Sequence, residues 1–234
     1  MTITPMPSSP STPFSTFLRS RTSVAIQIAL LVVGIFIFRR WSLWLPVPVA
    51  VIAALLIWLS SDSWRGLGFG RPALAASRWI VEGVMAGLLW GIVAARLLTP
   101  LLNFLLRAES APPAHKGEVS YLLTSIILFG IVHALAKGLA YRAFLLNRLE
   151  ALLGQTRTGI GLAVAAAAIW FGLGNLSLLF DPGQQTYAGF IIATLAGVVF
   201  NLVFYWSKRN VRPSILAHGI YNTTLFALVF LGYL

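Results

Sequence analysis

The chain has 234 residues, of which 58% are hydrophobic and only 10% charged, against roughly 25% charged in a soluble globular domain. This excludes an ordinary water-soluble protein: at about 20 residues per crossing, seven membrane crossings would use roughly 140 residues and leave the rest for short loops and one tail. The excess of 17 Lys+Arg over 6 Asp+Glu then encodes membrane topology rather than nucleic-acid binding, because the basic residues are scattered among loops with no basic stripe interleaved with aromatics. With no cysteine, a disulfide framework, a thiolate nucleophile and a Cys-ligated metal are excluded.

Residues 1–20 hold four prolines and nine Ser/Thr, too little apolar surface to offset the entropy of ordering them, and are expected to form a disordered tail. The transmembrane domain is expected over 21–234. Its first apolar run, about Ser23 to Phe38, is followed by Arg39, Arg40 and Trp41 instead of a small-residue cleavage site, so it stays as an anchor rather than leaving as a signal peptide. Six more runs follow: Trp41 to Ser60, Trp79 to Leu98, Val119 to Ala136, Gly159 to Leu179, Tyr187 to Trp206 and Ser214 to Tyr233. Gly-, Pro- and Asp-containing linkers at 61–72, 107–118 and 181–184 separate several of them. No internal repeat is evident, which disfavours a transporter built on inverted repeats. The expected fold is therefore an all-α polytopic bundle of about seven spans. With the N-terminus on one side, twelve basic residues fall there and five on the other, so the positive-inside rule puts the N-terminus in the cytoplasm and the C-terminus outside the plasma membrane.

Polar side chains at membrane depth cost free energy unless partnered, which makes them the functional leads. His218 and Asn222 are four positions apart on one helical face and would either address one ligand, as donors to a carbonyl or oxyanion, or fix helix packing through hydrogen bonds. His133 and Lys137 share the same spacing, and Lys137 has the alternative of snorkelling to the interface. Asn175 and Asn201 are expected to make interhelical hydrogen bonds. Glu82 is a candidate counter-ion for Lys137 or Arg142, or else faces the headgroups. His133, His218 and Glu82 fall short of the charge-compatible ligand set a catalytic zinc requires, since Lys137 among them would repel a dication. No metal and no cofactor is implied.

Three stretches together resemble the CPBP intramembrane protease family, the CAAX-processing and bacteriocin-processing group also called Abi, over a core at 119–234. The family's first motif, EExxxR followed by a GFLLxRL-like stretch, is matched from Lys137 and Gly138 through Arg142 to Leu149. Its second, FxxxH, is matched by Phe171 to Asn175, and its third, HxxxN, is intact as His218 and Asn222. The resemblance implies a membrane endopeptidase in which paired glutamates activate water while the later His and Asn orient the base or stabilise the oxyanion.

This chain departs from that pattern where the chemistry is done. The glutamate positions are Lys137 and Gly138 and the second-motif histidine position is Asn175, which leaves Arg142, His218 and Asn222 of the inferred machinery. An ammonium has no lone pair with which to take water's proton, glycine has no side chain, and an amide does not titrate. Loss of a general base alone costs on the order of 10² to 10⁴ in rate. The expectation is a catalytically degenerate relative in the bilayer that binds or scaffolds a membrane peptide, protein or lipid through a cavity lined by Lys137, Arg142, Asn175, His218 and Asn222. The alternative is an endopeptidase with a relocated base, His133 or a desolvated Lys137, cutting prenylated or membrane-tethered peptides.

Overall fold

A computed structural model describes residues 20–38, 46–59, 69, 76–106, 115–174 and 184–233. The N-terminal tail, apart from Ser20, and Asn175 lie outside the described residues. Among the described residues there are helices and turns but no strand. Helix α1 is Arg21–Phe38 and α2 is Pro46–Leu59; α3 runs through Ala76–Val93, a wide π-helical turn at Ala94–Leu98, and Thr99–Leu106. Helix α4 joins Val119–Ser125, a π-helical stretch Ile126–His133, the α-turn Ala134–Lys137, a second π-helical stretch Gly138–Leu146, and Asn147–Leu153. The remaining helices are α5 (Arg157–Leu173), α6 (Gln184–Trp206) and α7 (Val211–Phe230).

Each expected apolar run falls on one of these helices, but the fourth does not stop near Ala136. It continues to Leu153, so the stretch from Lys137 to Leu149 lies on the second half of α4. A lone glycine at 138, followed by Leu, Ala and other residues that tolerate helix, weakens the helix without ending it. The stop comes at Gly154, whose φ of 92° is left-handed backbone that glycine adopts without a steric penalty. Among the described residues four stretches are long and apolar enough to cross a membrane: Arg78–Leu106, Val119–Leu153, Tyr187–Trp206 and Val211–Phe230. The apolar parts of α1, α2 and α5, as far as they are described, have 10 to 17 residues. The 35 residues from Val119 to Leu153 span about 52 Å at 1.5 Å per residue, well beyond a hydrocarbon core of about 30 Å, which requires tilt or extension past the bilayer.

The most extensive helix pairing is between α3 and α7, and small residues make it possible. A side chain at Gly83 would meet Pro213 and Leu216, one at Gly87 would meet Ala217 and Ile220, and one at Gly91 would meet Thr224. These glycines recur every four residues and form a smooth stripe on α3 that lets the two backbones approach, where van der Waals packing rather than water exclusion supplies the attraction. The same device brings α4 to α7, because Gly219 lies against the Gly130 carbonyl. The α6–α7 turn is held differently. Helix α6 ends with Lys208 N–H donating to the Tyr205 carbonyl and Arg209 N–H to the Phe204 carbonyl, the paired pattern of a Schellman cap, and Lys208 and Arg209 take φ of 54° and 63°. Left-handed backbone at non-glycine residues costs about 1–2 kcal/mol each. Against that cost, Arg209 donates to the buried Glu150 carboxylate at 2.5 Å and to Asn147 Oδ1 at 2.9 Å, which clamps the turn to the end of α4. Asn210 then caps α7 by accepting from the Arg212 N–H at 3.1 Å.

Replacing Gly87 with leucine is expected to destabilise the protein by about 1–3 kcal/mol through overpacking against α7. Leu89→Ala, on a side chain 66% exposed, is expected to change stability by less than about 0.5 kcal/mol. Thermal unfolding of the two variants in detergent checks the contrast.

Candidate functional site

Helices α4, α5, α6 and α7 bring their polar residues together around two phenylalanines. Arg142 of α4 is 0% exposed, and its Cζ lies 4.9 Å from the Phe171 ring centre and 5.0 Å from that of Phe200. Lys137 Nζ lies 5.3 Å from the same Phe171 ring. His218 sits beside both rings, at centroid distances of 5.3 Å from Phe171 and 5.2 Å from Phe200. Tyr141 closes the group edge-on to Phe171 at 5.4 Å, with its hydroxyl packed where a side chain at Gly174 would stand.

The backbone explains why these side chains meet. In a regular α-helix, residues five apart point about 140° away from each other. The stretch that follows Lys137, Gly138–Leu146, is π-helical, with i→i+5 closure in place of i→i+4. That wider turn swings Arg142 toward the face that carries Lys137. On the far side, Ser214 Oγ donates to the Phe200 carbonyl at 2.7 Å, which ties α7 to α6 one turn before His218. His218 is eight positions along from the Asn210 cap of α7, which sets its backbone about 12 Å in from the Arg209 end of the bundle.

The other expected site residues are distributed as follows. Lys137 is buried rather than snorkelling outward. His133, one turn earlier, is buried edge-on against Phe129 at 4.7 Å. Asn222 donates to the Phe129 carbonyl at 2.8 Å. One amide N–H is thus engaged with α4, while the His218 ring lies against the Phe171–Phe200 pair. Asn201 makes an interhelical hydrogen bond, donating to the Val164 carbonyl at 3.3 Å. Glu82 is a counter-ion, but of Arg78 at 2.9 Å, and its second oxygen accepts from Ser207 at 2.8 Å. Four residues of sequence on α3 bring Arg78 within reach of Glu82, whereas Lys137 and Arg142 sit among the rings of α5 and α6.

Gly138 gives the clearest structural departure from a carboxylate-bearing site. The space where its side chain would begin is occupied by Ile215 of α7. An acid there would have to displace the middle of a branched side chain, not merely enter an empty pocket. Among the described residues no three His, Asp or Glu side chains are grouped so as to hold a metal ion. Phe171 and Phe200, the surfaces on which the basic groups converge, carry no sequence signal beyond the first position of the FxxxH-like stretch.

The described helices form an all-α bundle with several stretches apolar enough to cross a membrane, and the comparison with known families adds the class, a CAAX protease-like membrane protein. Residues 119–224, from the start of α4 into α7, match the family model for type II CAAX prenyl endopeptidase Rce1-like proteins. No curated protein and no solved structure matches the chain.

Because Ile215 fills the Gly138 position, Gly138→Glu alone is expected to cost about 1–3 kcal/mol, a fall in midpoint of roughly 2–12 °C for a domain of this size. Adding Ile215→Ala is expected to recover at least half of it. Melting curves of the single and double variants provide the check.

Proposed function

We propose that this chain is a non-hydrolysing member of the CAAX protease-like membrane proteins, which binds a membrane-embedded peptide or protein segment without cutting it. One observation carries the reading: the two positions that match the family's water-activating glutamates are an ammonium, Lys137, and a glycine whose side-chain space is filled by Ile215. Of the described carboxylates, Glu82 binds Arg78 and Ser207, Glu118 lies 3.0 Å from His115, and Glu150 binds Arg209. None is placed to serve as a base beside His218. What the site retains is a set of hydrogen-bond donors, suited to holding a carbonyl or an anion.

The test is a cleavage assay on protein purified in nanodiscs and offered prenylated and transmembrane peptides. The expected result is turnover indistinguishable from an empty-disc control, with the same peptides captured by crosslinking to the site. Cleavage by the unmodified chain that disappears in His218→Ala and His133→Ala would replace this reading with the relocated-base endopeptidase.

The same proposal places the Arg209 end of the bundle in the cytoplasm of a cell bounded by this membrane, since Arg78, Arg157, Lys208 and Arg212 are exposed there and positive charge is retained on that side. The absence of cysteine from the sequence makes this straightforward to check. A membrane-impermeant maleimide added to intact cells is expected to label Lys116→Cys and to leave Lys208→Cys unlabelled until the cells are opened.

A further inference from the structure

Arg142 poses a problem that the fold does not solve. Its guanidinium is fully buried, and none of its three nitrogens has a hydrogen-bond partner among the described residues. Phe171 and Phe200 answer part of the charge, at about 2 kcal/mol for a desolvated cation–π contact. A ring, however, offers no lone pair to the guanidinium's five N–H donors. Removing such an ion from water costs several kcal/mol that only an opposite charge with matching acceptors offsets. The nearby groups add to the problem, because Lys137 borders the same Phe171 ring and the His218 Nδ1 is buried without a hydrogen-bond partner among the described residues. The described carboxylates are engaged elsewhere, as set out above.

The geometry points to a buried site for one compact monoanion, a halide or a carboxylate, held by Arg142 with Lys137 and His218 at its border. It is compact because its surroundings are closely packed: Phe171 and Phe200, the rings on either side of the guanidinium, are 3% and 0% exposed, and Ile215 fills the space beside Gly138. A planar carboxylate suits a guanidinium in particular, since the two pair through parallel hydrogen bonds. This deepens the reading under Proposed function and rests on it only for whose carboxylate is bound. A chain that cleaved peptides yet responded to anions would lose that reading and keep this one.

The experiment uses the full chain in nanodiscs of phosphatidylcholine, whose headgroup carries no net charge. Thermal unfolding is followed while sodium chloride or sodium formate replaces sodium isethionate at constant ionic strength. Two further arms add an apolar peptide ending in a free carboxylate, and the same peptide as its C-terminal amide. A ligand that binds only the folded state at a hundred times its Kd is expected to raise the midpoint by roughly 5–10 °C. Arg142→Met is expected to abolish the response and to unfold no lower than the unmodified chain in isethionate, because it removes an uncompensated buried charge. Should that variant fail to fold, Lys137→Met is expected to shift the chloride or formate dose response to at least tenfold higher concentration. A response to chloride or formate supports a free ion, and a response only to the free-acid peptide supports the ligand's own terminus. No response in any arm, or a response that survives unchanged in both variants, overturns the proposal. So does a response that appears only in Asp181→Asn, which would assign the counter-charge to the chain's own carboxylate at a position outside the described residues.

Discussion

A guanidinium between two phenyl rings links four helices at once. Arg142 comes from α4, Phe171 from α5, Phe200 from α6, and His218 of α7 lies against both rings. In a bilayer, where apolar side chains gain little by leaving lipid for protein, a charge that must be kept from hydrocarbon is a strong reason for helices to assemble in one arrangement. The glycine stripe of α3 and the Gly130–Gly219 approach bring α7 near enough to take part. The Arg209–Glu150 pair then fixes where along α4 the last two helices attach. Shape brings the helices together, and charge selects their register.

The second half of α4 is where this arrangement departs most from regular structure. Two π-helical stretches flank a single α-turn that ends at Lys137. Such turns are rare, and they recur at functional sites because they turn side chains onto a face that regular periodicity would deny them. Here the outcome is that Lys137 and Arg142 gather with His218 around Phe171 and Phe200.

Much of the helical inventory was legible in the sequence, because an apolar run of membrane length has few other structural outcomes. The residues of the site were legible for a related reason: buried Arg, Lys and His are conspicuous in such a background. What was not legible depends on spacing that hydropathy does not register. Gly83, Gly87 and Gly91 are as apolar as their neighbours, and only their four-residue period marks the stripe that seats α7. The continuation of α4 beyond Ala136 was hidden because hydropathy falls at Lys137 and Gly138 although the residues that follow tolerate helix, and hydropathy does not register its wide turns. Glu82 was ambiguous because a carboxylate about one turn inside a span can pair with a distant cation or face the headgroups, and its partners Arg78 and Ser207 emerge only from the packing of α3 against the end of α6. Asn222 offered two readings for a similar reason, since an amide on an inner face serves a ligand and a neighbouring carbonyl equally well.

The filled space beside Gly138 bears on how sites of this kind change over time. If a carboxylate-bearing site and this one are connected by descent, the route between them passes through a state in which a side chain at 138 and the branched chain at 215 compete for one volume. Either residue altered first is penalised until the other follows. Two positions separated by 77 residues are thus bound into a single heritable unit, and a lineage that has adopted this pair meets a barrier to return that no inspection of the first motif alone would reveal.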